Sequence, residues 1–462
     1  MTEPIRDRLV SLRRSFHRHP EPAWREFTTT AKLVEEIRAI GVDELAVGPD
    51  AYDPADRMAV TDDDLEPWVD RARERGAGED ILERMTGGNT GAVAVLERGE
   101  GPAIGLRVDI DGLFIEESTD AEHDPAAEGF RSEIEGTMHA CGHDVHMTWG
   151  LAVLEAISES GEGLNESRSS SEQGSDVDFS GRLVVFFQPA EETGGGGCPM
   201  AKSEFADDLD YLLAVHVGLD HPTGEVVAGI EKPLAMCHVD VTIIGTSAHA
   251  GKAPNEGANA MHAMGAGIVN AYGIPRHSDG MTRVNIGKAE AGTASNIIAE
   301  RASMEAEARG ETTELMEYMK RHLERTMKSV ATMHGCRAEV EVVSESPRAD
   351  SDAELQALVS EVAGGVSGIE RVLPAADFGA SEDATFLMER VQADGGLATY
   401  MIVGTDHPTS HHTPTFDVDE ASLQHGVDVL VETIRELEAR HPVPQVDETE
   451  AVEAVERAEA GE

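Results

Sequence analysis

The sequence predicts an α/β protein: a mixed, largely parallel sheet with helices on both faces, plus an inserted α+β domain of ferredoxin-like order. Three observations predict it. Several short strand candidates are apolar along their whole length, as strands buried on both faces are, and they alternate with helical segments. From about residue 234 to 346 the order changes to β-α-β-β-α-β, the split unit of ferredoxin-like domains. The chain has 462 residues, enough for two or three domains with a real core.

Taken in order, residues 4–40 read as helix, ended by Gly41. Residues 49–88 are an acidic insertion punctuated by Gly and Pro, with one helix at 65–75. Apolar strands follow at 91–96 and 103–108, the second running into Asp109-Ile110-Asp111. Residues 145–157 read as a buried helix. Residues 158–180 are a Ser/Glu/Gly/Asp stretch of low complexity, read as an exposed loop. Residues 183–187 and 211–217 are continuous apolar strands.

The inserted unit has strands at 237–245, 282–289, 303–309 and 337–343, with helices at 255–272 and 312–334. After Pro347 the α/β pattern returns: helix 352–366, strand 399–403 and closing helix 418–439. The expected division is a discontinuous domain, 1–233 and 347–441, around an inserted domain, 234–346. The tail, 442–462, is acidic and expected to be disordered.

Composition excludes several classes. Apolar residues make up 40% and aromatics 4%, so the core rests on Val, Ile, Leu, Met and Ala. No apolar run has membrane-spanning length. The segment 1–14 is charged and has no signal-peptide core, so cytoplasmic residence is the expectation. The formal charge is −51, with seven lysines among 37 basic residues. Acids are dispersed along the chain, which points to adaptation to high salt, where screening weakens self-repulsion. An acidic protein that binds basic partners is the alternative. There is no basic stripe for nucleic acid. The four cysteines, Cys141, Cys198, Cys237 and Cys336, form no C-x-x-C pair, so no disulfide framework is indicated.

The chemistry gathers at strand ends. Met138–His146 reads Met-His-Ala-Cys-Gly-His-Asp-Val-His, with a thiol, three imidazoles and a carboxylate. Gln188-Pro189-Ala190-Glu191-Glu192 puts adjacent carboxylates after the strand 183–187. His216 lies at the end of 211–217, and His411-His412 follow 399–403 after a loop. Asp109 and Asp111 follow 103–108. Thiolate, imidazole and carboxylate are metal ligands, and paired glutamates can divide into a ligand and a general base. Open α/β sheets build their sites at the carboxyl ends of strands.

Alone, each piece has a plain reading: a helix entry, a solvated turn, a core histidine, loop residues. Delivered together to one sheet edge, they point to a metal hydrolase. Gly194–Gly197 lacks the Gly-Lys-Ser/Thr ending of a phosphate loop, and His17-Arg18-His19-Pro20-Glu21 reads as structural.

Several blocks carry a resemblance to the metallopeptidase-type amidohydrolases, the family of aminoacylases, hippurate hydrolases, indole-acetyl-amino-acid hydrolases and glutamate carboxypeptidases. They are Leu106-Arg107-Val108-Asp109-Ile110-Asp111-Gly112-Leu113, His139-Ala140-Cys141-Gly142-His143-Asp144, Phe186-Phe187-Gln188-Pro189-Ala190-Glu191-Glu192, Ala248-His249-Ala250-Gly251, Asn296 through Arg309, Ser381-Glu382-Asp383 and His412-Thr413-Pro414-Thr415-Phe416. They stand in the family's order over about residues 4–440. Asp56-Arg57-Met58, Gly87-Gly88-Asn89-Thr90-Gly91 and Pro275-Arg276-His277-Ser278-Asp279-Gly280 resemble the members that act on p-aminobenzoyl-glutamate. Phe114 departs from the Pro that relatives carry there.

The resemblance implies a zinc-exopeptidase-like catalytic domain with two divalent metal ions per subunit, zinc or manganese, with cobalt an alternative. Cys141, as bridging thiolate, His143, Glu192, His216 and His412 would be ligands. Glu191 would be the general base, His249 and Asn296 would hold the reacting carbonyl or the substrate carboxylate, and Arg309 would bind the carboxylate of the leaving amino acid. His412 is preferred to His411 because it stands four residues before Phe416. The implied reaction is amide hydrolysis of N-acyl amino acids, first p-aminobenzoyl-glutamate or a similar conjugate. Broader N-acyl or indole-acetyl-amino-acid hydrolysis and a non-catalytic metal-binding relative are the alternatives. Expected partners are the small-molecule substrate and a second copy joined through the inserted domain, or a different second subunit.

Overall fold

A computed structural model describes residues 3–160 and 179–441. Most of the loop expected at 158–180, and the tail 442–462 expected to be disordered, lie outside the described residues.

The larger sheet is built from β1 (Glu44–Val47), β2 (Ala92–Glu97), β3 (Ala103–Asp109), β4 (Arg182–Gln188), β5 (Tyr211–Val217) and β6 (Glu225–Val227). The second sheet contains β7 (Ala235–Ile244), β8 (Thr282–Ala291), β9 (Arg301–Gly310) and β10 (Arg337–Ser346). The chain then returns to the first with β11 (Arg371–Leu373) and β12 (Leu397–Val403). The larger sheet is eight-stranded, ordered β1-β2-β4-β3-β5-β12-β6-β11. Its centre, β4-β3-β5-β12, is parallel, whereas β2 pairs antiparallel with both β1 and β4, and β6 antiparallel with β12.

The central strands are apolar along their length because they are covered on both sides. On one face, Trp149, Leu154, Val427 and Leu430 of the helices His143–Ser160 and Ala421–Arg440 join the core. On the other, Met200, Leu387 and Val391 of Gly197–Ala201 and Thr385–Ala393 do so. This parallel geometry sends the carboxyl ends of β3, β4, β5 and β12 to one edge.

The second sheet is ordered β8-β9-β7-β10, antiparallel throughout. The helices Ala260–Tyr272 and Thr313–Met333 add Ala263, Met319, Leu323 and Met327 to its separate apolar cluster. Both begin at capping side chains: Asn259 accepts from His262 N–H, and Thr312 from Leu315 N–H. This is the β-α-β-β-α-β order that the sequence pattern predicts.

Some elements differ from expectation. The segment 4–40 is two helices, Glu3–His17 and Phe27–Ile40. Pro20 lacks the N–H that would continue the first helix. The buried Glu21 carboxylate accepts the Thr28 and Thr29 N–H groups of the second, at 3.0 and 2.8 Å. Gly41 ends that helix in the left-handed conformation, as expected. The helix expected at 255–272 starts at Ala260. Strand β1 and the helices Glu79–Arg84 and Thr385–Ala393 were not anticipated.

Candidate metal centre

Asp111, just beyond β3, organises the site. Its backbone carbonyl accepts from Nδ1 of His143 at 2.9 Å. Its carboxylate oxygens accept the N–H groups of Glu191 and Glu192, at 3.1 and 3.0 Å. One buried residue thus fixes an imidazole and the two-glutamate turn after β4. Ala190 enters that turn with φ +56°, a strained conformation for a residue with a Cβ.

Donating from Nδ1 leaves His143 Nε2 as the free lone pair. That atom is buried and has no hydrogen-bond partner. Around it stand Asp109 at 3.6 Å, Glu191 at 3.7 Å and Glu192 at 3.8 Å. Burial lowers the proton affinity of His143, but Asp109 and Asp111 more than reverse it, to a pKa of about 10. A proton there answers the same carboxylate field that a divalent cation would satisfy.

His216, near the end of β5, donates from Nδ1 to the Val217 carbonyl at 2.8 Å and turns Nε2 toward Cys141 Sγ, 3.4 Å away. Burial and His146 hold His216 well below the usual imidazole range, so it stays neutral and able to ligate. Gly142 makes the approach possible. Its φ is +92°, and a Cβ there would lie 2.3 Å from Val217 Cγ1.

His412, with φ +62°, donates its N–H to the Ala140 carbonyl at 2.8 Å and sets Nε2 3.3 Å from Glu192 Oε2. Glu192 Oε1 is buried without a partner. His411 is placed differently: its Nε2 donates to the Val217 carbonyl at 3.2 Å and its ring lies against Phe416.

Three ligand-like groupings overlap here: Cys141 with His143 and His216, Cys141 with Glu192 and His412, and His143 with Glu191 and Glu192. Cys141, His143 and Glu192 each belong to two of these groupings. Two unpaired buried ligand atoms and a mixed S, N and O donor set fit divalent metal. Burial and the carboxylates of Glu192 and Glu191 push the Cys141 thiol far up, so a cation is what makes its thiolate stable.

His146 also neighbours His143, but both of its nitrogens are engaged: Nδ1 with Asp109 at 2.5 Å, Nε2 with Val217 N–H at 2.8 Å. It is a support. Behind it, Arg107 is fully buried and binds Asp109, Glu382 and Asp383, at 2.7, 3.1 and 2.9 Å. Burial and the carboxylates of Glu382, Glu192 and Asp383 hold the Glu191 carboxyl well above its usual range. On the far side of the ligand loop, His17 bridges Asp144 and Glu117 at 2.9 and 3.1 Å, which makes His17-Arg18-His19-Pro20-Glu21 a structural element.

The centre forms one wall of a cavity of about 540 Å³. The opposite wall comes from the second sheet and includes Arg309, Glu307, His238 and Met236. The structure therefore brings Cys141, His143, Glu191, Glu192, His216 and His412 together, with Arg309 facing them. His249 and Asn296 stand elsewhere. They are neighbours of each other, since Ala250 N–H donates to the Asn296 carbonyl at 3.0 Å, but both are exposed and neither lines the cavity. Sequence reasoning missed the organising role of Asp111, the Arg107 network and the His238–Glu307 pair; only the Asp109-x-Asp111 spacing was a signal.

A doubly covered parallel sheet with a buried thiol, imidazole and carboxylate cluster at its strand ends defines a metal-dependent hydrolase. The chain belongs to peptidase family M20/M25/M40, whose model matches residues 105–436. It is 36% identical to a homolog, in Haemophilus influenzae, of one subunit of p-aminobenzoyl-glutamate hydrolase, over 93% of this chain and 98% of that one. It is also 36% identical to the indole-3-acetyl-aspartic acid hydrolase of Enterobacter agglomerans, over 94% and 97%. The crystal structure of an aminobenzoyl-glutamate utilization protein from Klebsiella pneumoniae superposes with a TM-score of 0.77 at 31% identity, covering 94% of this chain and 97% of that one. A dinuclear metal-binding peptidase of Bacillus subtilis shares the fold, with a TM-score of 0.64 at 21% identity over 95% and 99% of the two chains. The protein is a metal-dependent amidohydrolase. Among the described residues, no helix is long and apolar enough to cross a membrane.

Proposed function

We propose that the protein hydrolyses the amide bond of N-acyl amino acids, with p-aminobenzoyl-glutamate or a similar aroyl conjugate as its substrate. The observation that carries the reading is the cavity itself: the ligand cluster forms one wall, and Arg309 faces it across a space sized for a small acyl-amino acid. Relatives named for p-aminobenzoyl-glutamate and indole-3-acetyl-aspartate support the substrate class.

Cys141, His143, Glu192, His216 and His412 would hold two divalent metal ions, zinc or manganese. When bound, the metals supply the charge that acidifies a water and polarises the scissile carbonyl. Glu191 takes the proton as the water attacks, then delivers it to the departing amine. Its neighbours raise its proton affinity, which suits the second step. Arg309 offers its fork to the carboxylate of the leaving amino acid.

We read residues 234–346 as lid and dimerisation domain. His249 and Asn296 are separated from the cavity in this arrangement, so movement or pairing of that domain is what would bring them to the carbonyl. Support for pairing comes from the helix Ala260–Tyr272, which exposes Met261, Val269 and Tyr272, and from β8, an edge strand.

The test is a hydrolysis panel of p-aminobenzoyl-glutamate, hippurate and N-acetyl amino acids, run at high salt with zinc, manganese and cobalt. Fastest release of glutamate from p-aminobenzoyl-glutamate supports the reading. Equal or faster cleavage of simple N-acetyl amino acids transfers it to a broad N-acyl-amino-acid hydrolase.

A further inference from the structure

Three residues on the cavity wall opposite the ligands stand in one row. Arg309 on β9 pairs with Met236 on β7, and Met236 pairs with Ser346 on β10. All three line the cavity. With neighbouring strands about 4.8 Å apart, the outer Cα atoms lie about 10 Å apart. The row presents, in sequence, a guanidinium, an apolar thioether and a hydroxyl. Glu307, His238 and Ser344 form the next row on the same face.

Two details indicate that the row awaits a ligand. The Ser346 hydroxyl is buried and has no hydrogen-bond partner, and the Ser344 hydroxyl beside it is in the same state. Folded interiors pair nearly all such groups. Arg309, by contrast, is held in a fixed pose. Glu307 takes its Nε and Nη2 groups at 2.7 and 2.9 Å, and His238 Nε2 stands 3.3 Å from the same carboxylate. This side-on grip fixes the guanidinium plane and leaves the Nη1 edge open for a second carboxylate.

The serines reach this face through a β-bulge. Before it, Val340 and Val342 pair with the core residues Val241 and Val239. The register then shifts between Val342 and Ser344, leaving Val343 as the extra residue. A one-residue slip exchanges the faces, so Ser344 and Ser346 leave the core face, and Ser346 lines the cavity. The Val343 carbonyl accepts the Ala59 N–H at 2.7 Å, a bond from the 49–88 insertion. Ala59 itself has φ +51°.

We propose that the row Arg309, Met236, Ser346 recognises a leaving amino acid with an acidic side chain. Arg309 takes the α-carboxylate, Met236 packs on the methylenes, and the Ser346 hydroxyl donates to the side-chain carboxylate, with Ser344 next to it. The assignment rests on the acyl-amino-acid reading above and adds the residue that selects the side chain.

The experiment compares p-aminobenzoyl-glutamate, -glutamine and -alanine as substrates of the metal-loaded full-length protein and of Ser346→Ala and Ser346→Thr. Wild type should prefer glutamate to glutamine. Ser346→Ala should raise KM for the glutamate conjugate about tenfold, with kcat and the alanine conjugate little changed. Ser346→Thr, which keeps the hydroxyl, should retain the preference. Metal content and melting temperature of both variants should match wild type. Equal effects of Ser346→Ala on the glutamate and alanine conjugates, or none on either, would overturn the proposal, as would a wild type indifferent between glutamate and glutamine. If loaded wild type cleaves none of the three, the acyl-amino-acid reading itself fails and the proposal with it.

Discussion

Nε2 of His412 stands 3.3 Å from Oε2 of Glu192, linking the loop after the last sheet strand to the turn after β4. Each side chain is held from behind, His412 by its N–H on the Ala140 carbonyl and Glu192 by its N–H on Asp111. Two ligand-type groups are thus positioned independently of each other. Glu192→Ala and His412→Ala should therefore fold and yet lose bound metal, measured as metal per protein after dialysis. Asp111→Asn keeps every ligand but weakens the support, so metal affinity should drop about 10- to 100-fold. Full metal content in Glu192→Ala would remove that residue from the site.

Glu191 lies in the same turn, with Oε2 3.7 Å from Nε2 of His143. Glu191→Gln preserves shape and removes the carboxylate proposed as base, so it should retain metal while kcat falls about 100- to 10,000-fold. Single-turnover measurement separates this from slow product release. Activity near wild type would reassign the base.

Arg309 faces the centre from the opposite wall. Arg309→Ala should raise KM for acyl-amino acids about tenfold or more, the loss of a charge-assisted pair. Amides that lack the carboxylate should be little affected. An equal effect on both would mean that Arg309 shapes the wall and binds no carboxylate.

The buried His17 carries a pH prediction. Burial and Arg13 lower its proton affinity, and the carboxylates of Asp144 and Glu117 reverse this, raising the pKa from 6.5 to about 9. A raised pKa means that the folded state binds the proton more tightly than the unfolded one. Its contribution is complete below pH 6.5 and is lost as pH rises to about 9. The size is on the order of 3 kcal/mol. In urea unfolding with chelator present, wild type should lose stability across that interval, and His17→Gln should be less stable and show a flatter profile. Parallel profiles would contradict it.

Much of this was legible in the sequence, for identifiable reasons. Tyr211–Val217 was read at both ends because a strand covered on both faces is apolar throughout and stands out from its surroundings. The metal-type residues were legible because parallel strands deliver the residues after them to one edge. Other features had no local signature. Thr385–Ala393 is short and starts without a capping side chain. The Asp109-x-Asp111 spacing marks Asp111 as a strand-end candidate, but its bonds to the His143 ring and to the Glu191 and Glu192 N–H groups join distant parts of the chain and leave no local signature. Ser346 reaches the cavity only because a bulge at Val343 inverts the alternation, and a regular reading of β10 puts it on the wrong face. The separation of His249 and Asn296 from the cavity depends on how the second sheet is placed, which no motif encodes.

The central claim is that one cluster, Cys141, His143, Glu192, His216 and His412, holds the metal that enables hydrolysis of an acyl-amino acid. The most direct test titrates zinc or manganese into chelator-stripped protein while following p-aminobenzoyl-glutamate cleavage. Activity should be absent at the start, rise with added metal and level off at two equivalents per chain. Full activity in stripped protein, or complete loading with no cleavage of any acyl-amino acid, would contradict the account.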